Sequence, residues 1–179
     1  MTAGKWVAEF KVTEDGNIML GVSNDININQ GGTGTNTYNF GYVASGYAYS
    51  SSDGKTYTSD TGSTYGDTYT TNDIIGVYLD LDNNKLYFSK NGTVQNSGTG
   101  VSITACDGTN PYFFCHSDYE SAGTNTVQAN FGSPIYSITS GNADANDYGN
   151  FEYTRTITGD GSSKSFLSLC TKNLGSDGG

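Results

Sequence analysis

The sequence predicts an all-β protein of short antiparallel strands with little helix, and three observations carry that expectation. The first is the stretch from Asp73 to Gly92. Ile75, Val77, Leu79 and Leu81 alternate with Ile74, Gly76, Tyr78 and Asp80, the period of two that separates the faces of a strand. Asp82-Asn83-Asn84 then offers short polar side chains that tolerate positive φ, and Leu86-Tyr87-Phe88 resumes with strand-favouring residues, so the unit predicts a β-hairpin. The second observation is composition. Of 179 residues 13% are aromatic, with 14 Tyr and 25 Gly against 34% hydrophobic overall, a balance that favours strands and tight turns over helices. The third is the punctuation: Asn91-Gly92 directly follows Lys90 and marks a second reversal.

Taken in order, residues 5–12 and 17–23 read as strands joined through Glu14-Asp15-Gly16, whose Asp-Gly pair suits a hairpin. Asn24 to Asn36 is a loop rich in turn formers. Its Gly31-Gly32-Thr33-Gly34 cluster is not a phosphate cradle, because no Lys-Ser/Thr and no helical pattern follows. Residues 38–43 predict a strand. Ala44 to Asn72 is a low-complexity region in which Tyr47, Tyr49, Tyr57, Tyr65 and Tyr69 recur among small polar residues; Asp53-Gly54 marks a turn within it, making a hairpin of residues 47–49 and 55–57. After the central hairpin, residues 101–103, 112–115 and 127–131 are expected strands, and Ser117 to Asn125 an exposed loop. Ser140 to Asn150 reads as a linker without large apolar anchors before Tyr148. Residues 151–157 predict a strand, Gly159-Asp160-Gly161 a turn, and Phe166 to Leu174 a small apolar clasp, with a flexible end at Gly175-Ser176-Asp177-Gly178-Gly179.

Several of these motifs together resemble the SPRY domain. Asp73-Ile74-Ile75-Gly76-Val77 followed by Leu79-Asp80-Leu81-Asp82 and Leu86-Tyr87-Phe88-Ser89-Lys90-Asn91-Gly92 is similar to the central hairpin of that family. Gly4-Lys5-Trp6-Val7-Ala8-Glu9-Phe10, Ile18-Met19-Leu20-Gly21-Val22-Ser23, Pro111-Tyr112-Phe113-Phe114 and Asn130-Phe131-Gly132 resemble its other landmarks, in the same order, over residues 4–132. The resemblance implies a concanavalin A-like sandwich (a jelly roll) of two antiparallel sheets spanning residues 1–137. Residues 138–179 are then an extension packing on the sandwich or leading out of it. The string from Phe166 to Leu174 resembles a tail that follows SPRY-like modules in structural proteins of tailed phages and environmental viruses. The family often has an earlier strand than Met1-Thr2-Ala3 leaves room for, so a domain cut from a longer protein, or a compact variant, is expected.

Charge and length narrow the function classes. A formal net charge of -10 with eight Lys plus Arg provides no basic cluster to replace counterions on a phosphate backbone or an anionic lipid surface, which argues against nucleic-acid and membrane partners. There is no apolar run of membrane-spanning length and no basic-then-apolar leader, so a soluble chain is expected. The length suits one domain with an extension. Cys106, Cys115 and Cys170 lack Cys-x-x-Cys spacing and leave one unpaired; Cys106 and Cys115 flank one turn, and burial as small apolar side chains is the expected state.

Catalytic readings find little support. His116, the single histidine, adjoins Cys115 on an apolar strand, and adjacent strand residues point to opposite faces, which disfavours a triad or a Cys-His dyad; a local hydrogen bond at a strand end is expected instead. Glycosidase chemistry, which concanavalin-like sandwiches also host, wants converging carboxylates, and Asp80-x-Asp82 runs into a turn with no third acid. Calcium in an EF-hand loop wants Gly where Lys85 sits and Glu where Asn91 sits; an oxygen-only site elsewhere in the loops stays open. No cofactor is expected.

The tyrosines are the favoured binding residues. Tyr gives amphipathic contact area at low side-chain entropy cost, and Ser, Gly and Asn neighbours adapt their hydrogen bonds, while the competing role for each ring is cross-strand packing. The expected site is Tyr47, Tyr49, Tyr57, Tyr65, Tyr69, Asp118 and Tyr119, on loops 24–37, 44–72 and 117–125. The functional expectation is a non-enzymatic virion or tail-fibre component, made in the host cytoplasm, that recognises a host-surface protein or glycan. The alternatives are a decoration subunit that binds neighbouring virion proteins, with homo-oligomerisation through adjoining segments, and a carbohydrate-active enzyme.

Overall fold

A computed structural model describes residues 1–25, 39–118, 124–153, 156–157 and 166–174. Two sheets stack face to face in the expected sandwich. One contains β11 (Thr126–Asn130), β1 (Lys5–Glu14), β6 (Ile74–Asp80), β7 (Lys85–Lys90) and β8 (Thr93–Val94) in that order, with β9 (Val101–Ser102) on β7 and β12 (Leu167–Ser168) on β1. The other runs β10 (Phe113–Asp118), β2 (Ile18–Ser23), β3 (Gly46–Ser50), β4 (Lys55–Thr58) and β5 (Thr61–Thr64). All pairings are antiparallel except β12 on β1.

Strand alternation builds the core. Trp6, Ala8, Phe10 and Val12 of β1, Ile18, Leu20 and Val22 of β2, Ile75, Val77 and Leu79 of β6, and Leu86 and Phe88 of β7 fill the space between the sheets. The alternate residues Val7, Tyr78 and Tyr87 form a second apolar layer on the opposite face of the first sheet. The expected central hairpin forms, with the register Ile75↔Lys90 to Asp80↔Lys85. Asn91-Gly92 turns β7 into β8 with both residues at positive φ, as a tight two-residue hairpin requires.

Four expectations are corrected. β1 and β2 do not form a hairpin: Asp15-Gly16 carries the chain from one sheet to the other, and Asp15 accepts hydrogen bonds from Asn17 N–H and the Ser51 hydroxyl. Phe40–Tyr42 is a 3-10 turn rather than a strand, because the Asn39 side chain accepts the Gly41 N–H at 2.7 Å and competes with extended pairing. The region from Ala44 to Asn72 is not mainly loop. The expected hairpin is there as β3 and β4, but a further strand, β5, follows it. In the C-terminal extension the described part of 151–157 makes a single bridge, Asn142↔Phe151.

That extension packs on the sandwich. Phe151, Ile157 and Phe166 cover Val7, Tyr78 and Tyr87, and β12 pairs with Trp6 and Val7 beside the stretch of β1 that β11 occupies. Two buried carboxylates fasten it. Glu9, on β1, accepts the Glu152 and Tyr153 N–H groups at 2.9 Å each and side-chain bonds from Asn130 and Tyr136. Asp144 accepts from the N–H groups of Asn146, Tyr148 and Ser168, the Ser168 hydroxyl and the Asn173 amide. Burial alone would raise the Asp144 carboxyl, but these donors outweigh it and hold the group below the ordinary carboxylate range.

Two outcomes are expected. Gly21 faces Ala48 so closely that a Cβ there would sit 2.0 Å from the Tyr47 carbonyl oxygen; Gly21→Ala should cost about 3 kcal/mol in urea denaturation, and a loss below about 0.5 kcal/mol would contradict this packing. Because the folded Asp144 carboxyl is depressed, its contribution is present above the unfolded value and is lost as pH falls through the folded one. Fluorescence of Trp6, the one tryptophan, which pairs with Leu167, should therefore show an acid step below about pH 4. That step should shrink in Asp144→Asn; an unchanged step would assign it elsewhere.

Candidate binding site

The inward positions of β4 and β5 depart from the apolar rule that builds the rest of the core. Register Tyr49↔Thr56, Thr56↔Ser63 and Thr58↔Thr61 places Thr56, Thr58, Thr61 and Ser63 on the face toward β7 and β9. Their short hydroxyl side chains do not fill the gap between the sheets. A cavity of about 200 Å³ remains, floored by Tyr47, Leu86, Phe88 and Val101 and bordered by Asn96 and Gly100.

A two-residue turn, Ser59-Asp60, joins β4 to β5 with φ of 49° and 59°, the double positive-φ geometry that fits the twist of a hairpin. On the outward face the Tyr57 ring lies across Gly62, where a Cβ would come within 2.9 Å of it. A side chain there would displace the ring from the strand. The Tyr57 hydroxyl donates to Asp53 at 2.7 Å, and Asp53 also accepts the Lys55 N–H at 3.1 Å and pairs with the Lys55 ammonium at 3.3 Å. Desolvation pushes the Asp53 carboxyl up, yet the Tyr57 and Lys55 donors prevail and hold it low. Asp60 and Asp67 carry no ion pair among the described residues.

The expected site residues separate into three groups. Tyr49 (0% exposed), Tyr69 (2%), Tyr47 (6%) and Tyr65 (6%) are core residues, which corrects the expectation that they form an exposed loop platform. Tyrosine can be buried because its hydroxyl finds a partner inside. Tyr69 donates to the Tyr49 carbonyl at 2.7 Å, Tyr49 to the Asp67 carbonyl, while Tyr47 and Tyr65 accept the Thr104 and Phe88 N–H groups. Burial pushes the Tyr65 phenol up to about 12. Edges of Tyr47 and Tyr65 still line the cavity. Tyr57 alone of the five is half-exposed, and its ring lies on the outer face of the sheet, packed against the cluster of Met19, Phe40 and Ala48, on the side away from the cavity. Asp118 ends β10, at the opposite edge of this sheet, so it does not join them. Tyr119 and residues 26–37 of the first loop lie outside the described residues.

Sequence reasoning missed Thr56, Thr58, Thr61, Ser63, Asn96 and Gly100. Their one signal was a run of Thr and Ser too uniform to show a period. The acids considered for catalysis serve the fold: Asp80 is buried against Lys5 at 3.0 Å and accepts from Asn83, and Asp82 accepts the Gly4 N–H. Neither lines the cavity. His116 is exposed on β10 and makes no local hydrogen bond among the described residues, unlike the expectation, whereas Cys115 beside it is buried. Cys106 and Cys170 are half-buried, and all three thiols are free. Among the described residues no group of three or more His, Cys, Asp or Glu is placed to hold a metal ion.

A second opening, of about 640 Å³, lies between Phe131, Tyr148, Leu169 and Lys172 at the extension, and a third of about 310 Å³ shares Phe131 and Leu169 with it. Among the described residues, Phe131, Tyr148 and Ile135 are the exposed large hydrophobic ones.

In comparison with known proteins, the SPRY domain model matches residues 5–134. A search of curated proteins finds no match to the chain.

The division among the tyrosines has a measurable consequence. Tyr49→Ala is expected to lower the unfolding free energy by about 4 kcal/mol, as for a buried ring, and Tyr57→Ala by about 1 kcal/mol. Equal losses in urea denaturation would place Tyr57 in the core with the others.

Proposed function

Since the chain belongs to the SPRY domain family, we propose that it is a non-catalytic recognition module whose partner enters the opening under β4 and β5. SPRY domains act in general as protein–protein interaction modules. One observation carries the reading: an uncharged, hydroxyl-lined cavity with an apolar floor. Hydroxyls and amides there can match a partner's polar groups while the edges of Tyr47 and Tyr65 supply ring contact. The acids nearest in sequence to glycosidase spacing are committed to the fold, which supports recognition over hydrolysis.

The biological setting we propose is a phage virion or tail fibre, with a host-surface protein or glycan as partner. It rests on the resemblance of Phe166 to Leu174 to tails of viral SPRY-like modules and on the Asn/Thr/Gly/Tyr-rich texture of the strands. A second reading, contact with neighbouring virion subunits, is favoured by the exposed Phe131, Tyr148 and Ile135, since apolar patches on a soluble surface mark interaction sites. The two readings differ in the surface used.

Antibody against the chain should label viral particles in immunogold microscopy, and purified chain should bind host cells with about tenfold lower affinity after Ser63→Leu, which obstructs the cavity. Binding to particles that is lost with Phe131→Ser and unaffected by Ser63→Leu would establish the subunit contact instead. Absence of particle labelling would overturn the viral setting.

A further inference from the structure

From the geometry of β5 we infer that the partner is an extended polypeptide segment with basic flanks, which adds as a sixth strand to the edge of the five-stranded sheet. This rests on the site proposed above and names its occupant.

β5 is the last strand of its sheet. In a hairpin closed by two residues, the pair that flanks the turn exchanges hydrogen bonds, and the bonded pairs then alternate. Thr58↔Thr61 and Thr56↔Ser63 are therefore the bonded pairs, and the N–H and C=O groups of Gly62 and Thr64 point away from β4. No hydrogen bond of the described residues reaches them. Folded proteins ordinarily blunt such an edge with lysine, proline, a bulge or a covering segment. Thr-Gly-Ser-Thr contains none of the residue types, its register with β4 is regular, and all four residues are exposed. An outward row of donors and acceptors at strand spacing is complementary to an extended polypeptide backbone.

Side chains of the added strand would alternate between the two faces, as those of β5 do. On the inner face they reach the cavity mouth beside Thr61 and Ser63, over the apolar floor of Leu86 and Val101. On the outer face they meet Thr64 and the Gly62 backbone next to the Tyr57 ring. Neutral β-branched residues fit both positions. Asp60 precedes β5 and Asp67 follows it, both exposed and without an ion pair among the described residues, and the only lysine of the hairpin is already held by Asp53. Lys or Arg at the ends of the incoming segment matches that charge. A second copy does not, because β5 paired antiparallel with β5 brings each Asp60 toward the partner's acidic end, and each chain carries a net charge of -10.

The test is selection of displayed random octapeptides on the intact chain. Enriched peptides are expected to alternate β-branched residues between basic ends. Methylation of their backbone nitrogens should abolish binding at one parity and spare the other, a signature of strand pairing that side-chain docking lacks. Thr64→Pro removes an outward donor and no internal bond, and should weaken binding about tenfold or more with near-ultraviolet circular dichroism unchanged. Asp60→Lys should weaken it about threefold or more, most at low salt. Peptides that lose affinity with Ser63→Leu at the mouth but ignore Thr64→Pro and the parity of methylation would overturn strand addition and leave the site reading intact. Peptides indifferent to all three variants, or no enrichment, or binding of arrayed glycans in place of peptides, would overturn the inference. So would a dimer in sedimentation that Thr64→Pro abolishes, because the edge would then belong to a second copy.

Discussion

The two sheets are joined on their open side by one aromatic stack. The Tyr49 ring of β3 lies 5.0 Å from Phe88 of β7, 5.2 Å from Tyr69 and 5.6 Å from Tyr65, distances at which tilted and edge-on rings attract beyond the area they bury. Past this stack the inward residues change from rings and branched chains to threonine and serine, and the sheets no longer meet. The cavity begins where the stack ends, so the same residues that close the core define the floor and back wall of the site. Binding and stability are separable at Ser63, an exposed hydroxyl residue of the cavity lining, and inseparable at Tyr49.

The opposite face of the first sheet has a different economy. Its apolar residues Val7, Tyr78 and Tyr87 are covered by an extension whose own segments are short and irregular, so hydrophobic contact through Phe151 and Phe166 cannot by itself set the path of the chain. Glu9 and Asp144 do that by gathering backbone N–H groups, Glu9 those of Glu152 and Tyr153, and Asp144 those of Asn146 and Tyr148 together with Ser168 of the short β12. Their donors are neutral hydrogen-bonding groups, and a carboxylate that accepts several such bonds is well accommodated away from water.

Much of the fold was legible because it rests on period. Residues 73–92 alternate cleanly, and the structure gives each apolar residue the face that the alternation assigns. The tyrosine-rich region was not legible in the same way. Tyr is amphipathic, so a Tyr among Ser, Thr and Gly has one composition whether its hydroxyl meets water or the Asp67 carbonyl. β5 escaped notice because Thr-Gly-Ser-Thr has no apolar alternation, and its turn, Ser59-Asp60, lacks the glycine that usually announces one. Asp144 sat in a stretch read as linker for want of large apolar residues, when its anchoring is by hydrogen bonds. The region of the site was therefore visible and its residues largely were not: of the expected set only the buried rings of Tyr47 and Tyr65 present an edge to the cavity.

The central claim is that the hydroxyl-bearing inward face of β4 and β5 leaves the sandwich open for a partner. Replacing Thr58 by Val and Ser63 by Leu should fill the cavity with apolar volume; thermal unfolding of this double variant, followed alongside its partner binding, tests that claim directly. The account predicts a higher melting temperature together with loss of binding. A lower melting temperature with binding retained would show that those positions are not the lining of an open site.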